Sequence, residues 1–220
     1  MKRVYQQVMV LSASMVVLSL ATGGSAQVTI PLFQPGKVRV LIFSGHNNHD
    51  WRTTTPFLKK VLVDSGRFDV RVEEEPVGVT DATLAAYDAL VLDYEGPRWG
   101  EATERAVERF VRSGKGLIAV HAASYAFTGL EVLGDKHVRT GIKEPAWPEY
   151  LKMVGGWWSE DTPKTGHAPR HCFSVRIVDR HHAVTQGMKD SFTVSDELYH
   201  SHHMTADVHV LASARATPMT

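Results

Sequence analysis

The chain has one cysteine, Cys172, in 220 residues. A single thiol excludes an internal disulfide and any zinc-ribbon spacing. Neither sign of charge is in surplus: Lys plus Arg equals Asp plus Glu at 24 each. Without a basic excess there is nothing to neutralise a run of phosphates, which argues against nucleic acid as a partner. No apolar run comfortably reaches the about 20 residues needed to span a bilayer, so a polytopic membrane protein is excluded. Two phosphate-cradling patterns, G-x-x-x-x-G-K-[ST] and G-x-G-x-x-G, are missing, and nucleotide cofactors have no support. So is the G-x-S-x-G elbow of serine hydrolases. What is present is an ordinary globular composition, 43% hydrophobic and 22% charged, on a length that suits one domain at roughly 100–200 residues per domain.

The first 26 residues read as a secretory signal, with a retained membrane anchor as the alternative. Lys2 and Arg3 supply the positive start, and Val8 to Leu20 is apolar apart from small Ser and Ala. Small residues from Thr22 to Ala26 then place cleavage before Gln27. The expected organisation is a signal peptide over 1–26, a Pro/Gly-containing linker over 27–37 and one domain over 38–220. The mature protein is expected to be exported, periplasmic or extracellular, and free of the membrane once the signal is cut.

Short apolar runs then alternate with helical spacing. Val38 to Phe43 has the pattern of a buried strand. Thr53 to Asp64 is helical, with Thr55 placed to cap it and Pro56 at its first position. Phe68–Val72, Ala89–Leu92 and Leu117–Val120 read as further strands, and Glu101–Val111 as an amphipathic helix ended by Ser113-Gly114. Trp147–Val154 reads as a helix stopped by Gly155-Gly156, with strands over Cys172–Val178, Phe192–Val194 and Val208–Leu211. Strands separated by helical crossovers predict an α/β fold: an open, mostly parallel sheet with helices on both faces. Ligands bind such sheets at the carboxyl ends of the strands.

Polar residues collect at those ends. Ser44 to Trp51, including His46, His49 and Trp51, follows the first strand; Asp93-Tyr94-Glu95 follows the third; His121-Ala122-Ala123-Ser124 follows the fourth. His121 there suits an acid or base near neutral pH. His46 and His49 suit either ligand contacts or turn-forming roles in their loop. Eight of the 12 histidines lie between 167 and 209, most densely in Glu197-Leu198-Tyr199-His200-Ser201-His202-His203. His200 and His202 would share a strand face, and Glu197 and His200 a helix face; either would offer nitrogen and oxygen ligands to zinc or a similar divalent metal. The alternative is a set of solvated surface histidines. Trp147, Trp157 and Trp158 suit a sugar-stacking platform or core packing. Cys172, in an alternating strand, is expected to be buried and inert.

The chain resembles the ThuA-like (trehalose-utilisation) proteins, which share the class I glutamine amidotransferase-like sheet. The residues that carry the resemblance are Val40 to Gly45, Gly116 to Ala123, Trp147-Pro148-Glu149-Tyr150, Met153 to Gly156 and Gly166-His167. They continue through Asp179 to Gly187 and Val194 to Tyr199. The resemblance implies a flavodoxin-like domain and a role in carbohydrate catabolism. It also implies that the protein is not a glutamine amidotransferase, because the turn that carries their cysteine reads His121-Ala122-Ala123-Ser124 here. Ala183 stands where the family usually has proline. Family members usually continue with a further strand and a closing helix, so the resemblance implies either a domain truncated at its C-terminal end or a short member.

Combined, these readings predict an enzyme acting on a disaccharide or keto-sugar. His121 and Glu197 are the expected acid/base residues, with His46, His49, Trp51, Glu95, Ser124, Tyr150, His167 and Tyr199 against the substrate. A divalent metal would sit on His46, His121, Glu197 and His200. The partner is a small-molecule carbohydrate, and a homo-oligomer is compatible with the reading. A non-catalytic sugar-binding module and a metal-binding structural protein remain open as alternatives.

Overall fold

The computed structural model describes residues 32–128, 130–133, 136–139, 147–159 and 163–215. The predicted signal and residues 27–31 of the predicted linker lie outside these residues. Strand β1 (Val38–Phe43) runs parallel to β2 (Phe68–Glu73) on one side and β3 (Ala89–Leu92) on the other. Val40 stands opposite Val70 and Ala89, which sets the register. β4 (Gly116–Ala119) adds in parallel to β3, giving the order β2-β1-β3-β4. The α/β expectation holds, and the four predicted strands fall within about a residue of their predicted places.

Alternation along β1 explains the two layers. Val40 and Ile42 point to one face, where they meet Val70, Val91 and, from helix α1 (Trp51–Asp64), Leu58 and Leu62. Leu41 and Phe43 point to the other, with Leu90 and Leu92. There they meet Val107 and Phe110 of α3 (Glu101–Arg112), and Tyr150 and Leu151 of α4 (Pro148–Val154). A four-residue helix, α2 (Asp81–Leu84), packs on α3 and starts in a reciprocal Thr80–Thr83 capping box. Ile42 and Phe43 are wholly buried; each such side chain contributes about 1.5–3 kcal/mol of transfer free energy.

Helix α1 begins two residues before its predicted start. Thr53 and Thr54 both donate their N–H groups to the Asp50 carbonyl, and the Thr53 hydroxyl bonds the Asp50 carboxylate. Thr55 is therefore not the cap. It is buried inside the helix and its hydroxyl bonds Asp93. Pro56 sits within the helix rather than at its first position.

The remaining strands are short and antiparallel. β5 (Leu130–Leu133) pairs with β6 (Lys136–Arg139). β7 (Gly156–Trp157) and β8 (Gly166–His167) follow α4, then β9 (His171–Ile177), β10 (Ser191–Asp196), β11 (Tyr199–His200), β12 (His203–Met204) and β13 (Ala212–Ala214). β9 lies between β10 and β13, β7 pairs with β12, and β8 pairs with β11. The predicted strand over Val208–Leu211 is displaced to Ala212–Ala214, because the register against β9 places those alanines opposite Val175 to Ile177; tertiary pairing outweighs propensity there. Cys172 is exposed, not buried. It falls on the β9 face that carries Ser174 and Arg176, while Phe173 and Ile177 point inward and are buried. Among the described residues no helix is long and apolar enough to cross a membrane.

Candidate functional site

The site is built on the turn after β4. His121 takes φ 48°, in the left-handed region, and opens a 3-10 turn over His121–Tyr125. A residue with a Cβ is held there at a cost of about 1–3 kcal/mol. Several bonds hold the turn in place. The Ser124 hydroxyl donates to the His121 carbonyl at 3.0 Å, and the Ala123 N–H donates to the Val120 carbonyl. The hydroxyl of fully buried Tyr150 donates to the Ala123 carbonyl at 2.6 Å. Ala122 and Ala123 are buried, and larger side chains would not fit beneath the turn without displacing its neighbours.

The loop after β1 brings a second imidazole. Asp93, buried at the end of β3, accepts from the Thr54 and Thr55 hydroxyls at 2.8 and 2.7 Å and from the Asn47 amide at 3.1 Å. The Asn47 side-chain oxygen in turn accepts the His49 N–H at 3.0 Å. One buried carboxylate thus ties the loop to the helix that follows it. His49 Nε2 lies 2.6 Å from His121 Nε2, and the Tyr199 hydroxyl lies 2.9 Å from that same nitrogen. An imidazole nitrogen offers one lone pair or one N–H. With the proton of His121 on Nδ1, the Tyr199 O–H and the His49 N–H converge on a single lone pair.

Tyr199 arrives through the antiparallel clamps. β11 pairs Tyr199 with His167 of β8, and the Trp158 N–H donates to the Ser124 carbonyl at 3.2 Å, which fastens the clamp region to the turn. The Tyr199 ring stands 5.0 Å from that of His121, 5.5 Å from His167, 5.2 Å from Trp158 and 5.5 Å from His202. Glu197 Oε2 lies 3.6 Å from His167 Nδ1. Asn48, His49, Ser124, Tyr125, Trp158, His167, Glu197 and Tyr199 line a cavity of about 180 Å³.

Burial, then the neighbouring His49, holds His121 below the ordinary imidazole pKa, against the pull of Asp196 and Glu197. Burial also lowers His202. The Tyr199 hydroxyl is pushed up to about 12, first by burial and then by Glu197 and Asp196. Near neutral pH the site therefore combines a neutral imidazole that accepts a proton with a phenol that keeps its own.

Of the residues expected from sequence, His49, His121, Ser124, His167, Glu197 and Tyr199 come together here. Tyr150 supports the turn from below. Glu95 is wholly buried, and its N–H donates to the His46 carbonyl. The His46 ring packs edge-on to Tyr94, centroids 5.9 Å apart. Trp51 opens α1 and faces a different cleft. His200 pairs across from Gly166, and its Nδ1 meets the Ser201 hydroxyl at 3.2 Å. The expected sharing of one regular face by residues 197 to 202 does not occur, because Ser201 takes φ 58° between the two-residue strands β11 and β12. The nearest partners of His121 are His49 and Tyr199 rather than His46 and His200. Among the described residues no group of three or more His, Cys, Asp or Glu side chains is arranged to hold a metal ion. Of the three tryptophans, Trp147 is buried in the core and Trp158 lines the cavity. Asn48 lies in the polar stretch after the first strand but is not singled out there, and Tyr125 carries no signal beyond its neighbour Ser124.

A family model described as trehalose utilisation, the ThuA family, matches residues 39–220. The fold is similar to that of a ThuA-like protein of Parabacteroides merdae, with TM-score 0.60 and 26% identity; the match covers 81% of this chain and 68% of that one. A ThuA-like protein of Bacteroides uniformis is similar at TM-score 0.54 and 20% identity, covering 75% of this chain and 61% of that one. No curated protein matches. Matched over most of its length by the family model, the chain belongs to the ThuA family, the family of trehalose utilisation.

Proposed function

We propose that the protein is an exported enzyme of carbohydrate catabolism that removes the proton alpha to the carbonyl of a keto-sugar. The observation that carries this reading is the convergence of His49 and Tyr199 on His121 Nε2 at a backbone position held in the left-handed region. When the carbonyl oxygen of the substrate takes over the Tyr199 and His49 hydrogen bonds, the Nε2 lone pair of His121, neutral near pH 7, is free to accept the proton from carbon. The C–H electron pair moves into the carbonyl and leaves an enolate, and the Tyr199 O–H and His49 N–H donate to its oxygen. Glu197 beside His167 supplies the second acid/base pair that returns a proton to carbon or oxygen. Trp158 and Tyr125 offer ring faces for the apolar side of the sugar.

The test is wash-in of solvent deuterium next to the carbonyl, followed by NMR across a panel of keto-sugars. Wild type is expected to exchange one member, and His121→Ala to exchange it at least about 100-fold more slowly. Exchange at the wild-type rate in His121→Ala sinks the reading. A sugar that binds but neither exchanges nor reacts supports a binding module instead.

A second reading adds a divalent metal, with the neighbouring imidazoles of His49 and His121 as its nitrogen donors. His49 and His121 would hold it, and a bound metal would polarise the carbonyl as a Lewis acid. Elemental analysis of the purified protein decides between the readings. Stoichiometric zinc that is lost in both His49→Ala and His121→Ala favours the metal.

A further inference from the structure

We propose that a second cleft, between the first half of α1 and the end of β2, binds small hydroxylated anions, namely sugar acids or sugar phosphates. Its volume of about 560 Å³ is three times that of the imidazole cavity and falls within the about 300–1,000 Å³ usual for small-molecule sites. None of the groups that line it lines the cavity beside Tyr199 and Glu197, so the second cleft stands apart from the chemistry assigned there.

Residues 52, 55, 56 and 59 follow the i, i+3, i+4, i+7 spacing that puts one stripe of α1 on the cleft wall. Two cations lie on that stripe. Arg52 and Lys59 are seven residues apart, about 10 Å along a helix. Among the described residues no salt bridge engages either one, whereas Lys60, one position on, pairs with Asp64 outside the cleft. The Arg52 guanidinium lies 4.3 Å over the Trp51 ring. Stacking of this kind pre-orients the planar fork and leaves its N–H edge available to a carboxylate or phosphate. Pro56 and Val72 give the cleft an apolar floor for a carbon skeleton. Glu74, on the facing wall, accepts hydroxyl groups. Glu73, its neighbour, is engaged with the Glu75 N–H at 3.0 Å. Two cations against one carboxylate on the wall favour a ligand with one anionic group and several hydroxyls.

Isothermal titration of the full chain with glucuronate, glucose 6-phosphate and neutral glucose tests this. At least one of the two anions is expected to bind about tenfold or more tighter than glucose and to weaken as salt rises. Its affinity is expected to fall about tenfold in Arg52→Gln, to fall less in Lys59→Gln, and to stay unchanged in His121→Ala. Whether glucuronate or glucose 6-phosphate wins identifies the head group. The proposal is overturned by equal affinity for glucose and the anions, by unchanged affinity in both cation variants, by loss in His121→Ala, or by no binding of either anion at millimolar concentration.

Discussion

His121 and His49 are separated by 72 residues in sequence, yet their Nε2 atoms lie 2.6 Å apart. The contact joins the ends of β4 and β1, two strands that are not neighbours in the sheet. It is possible because a left-handed residue turns one ring toward the loop after β1 and a buried carboxylate anchors that loop, which carries the other.

The backbone at His121 makes a stability test that runs opposite to activity. Glycine adopts φ 48° without the Cβ penalty. His121→Gly is therefore expected to be more stable than His121→Ala by about 1 kcal/mol in urea unfolding, with neither variant active. Equal stability of the two would show that the position carries no strain.

Asp93 holds the His49 loop. Asp93→Ala leaves the Thr54 and Thr55 hydroxyls and the Asn47 amide without their acceptor. The expected cost is about 1–3 kcal/mol in urea unfolding. The His49 and His121 ring resonances should also lose their mutual nuclear Overhauser contact. A variant that unfolds like wild type and keeps that contact would remove Asp93 from this role.

The pH dependence has a definite sign. His121 and His202 both have folded-state pKa values below the ordinary 6.5. Their neutral forms are favoured in the fold, so the unfolded chain binds more protons between the folded pKa and 6.5. The stability they contribute is complete above pH 6.5 and is lost as pH falls through the folded value. Unfolding midpoints measured from pH 8 down to pH 5 should therefore decline, and His121→Ala should flatten the decline. Exchange of the keto-sugar should fall over the same window as His121 becomes protonated.

Gly45, at the end of β1, takes φ 98°, and a Cβ there would collide with the Glu74 carbonyl. Gly45→Ala faces both the backbone penalty and the clash. It is expected to lose about 3 kcal/mol or more, measured by urea unfolding. The loop after β1 and the wall of the second cleft should shift together in such a variant.

The parallel sheet was legible in sequence because its strands are short apolar runs bounded by turn residues. Val38–Phe43 and Ala89–Leu92 are found where their patterns place them. The start of α1 was not, because Thr55 looks like a cap in isolation and only Asp93, 38 residues on, shows where its hydroxyl goes. Cys172 was misplaced for a related reason: an alternating strand has two faces, and its pattern alone does not say which one Cys172 occupies.

Chain order and periodicity determined by themselves the strands, their helical crossovers, and the arrival of His49, Glu95 and His121 at strand ends. Those are local properties, set by side-chain period and turn chemistry. Only the tertiary structure decided which of these groups meet. Pairing of two-residue strands sent Tyr199 toward His121 and paired His200 across from Gly166, and burial took Glu95 and Tyr150 out of the cavity. A two-residue strand has too little pattern to be read, and its register comes from contacts made far along the chain.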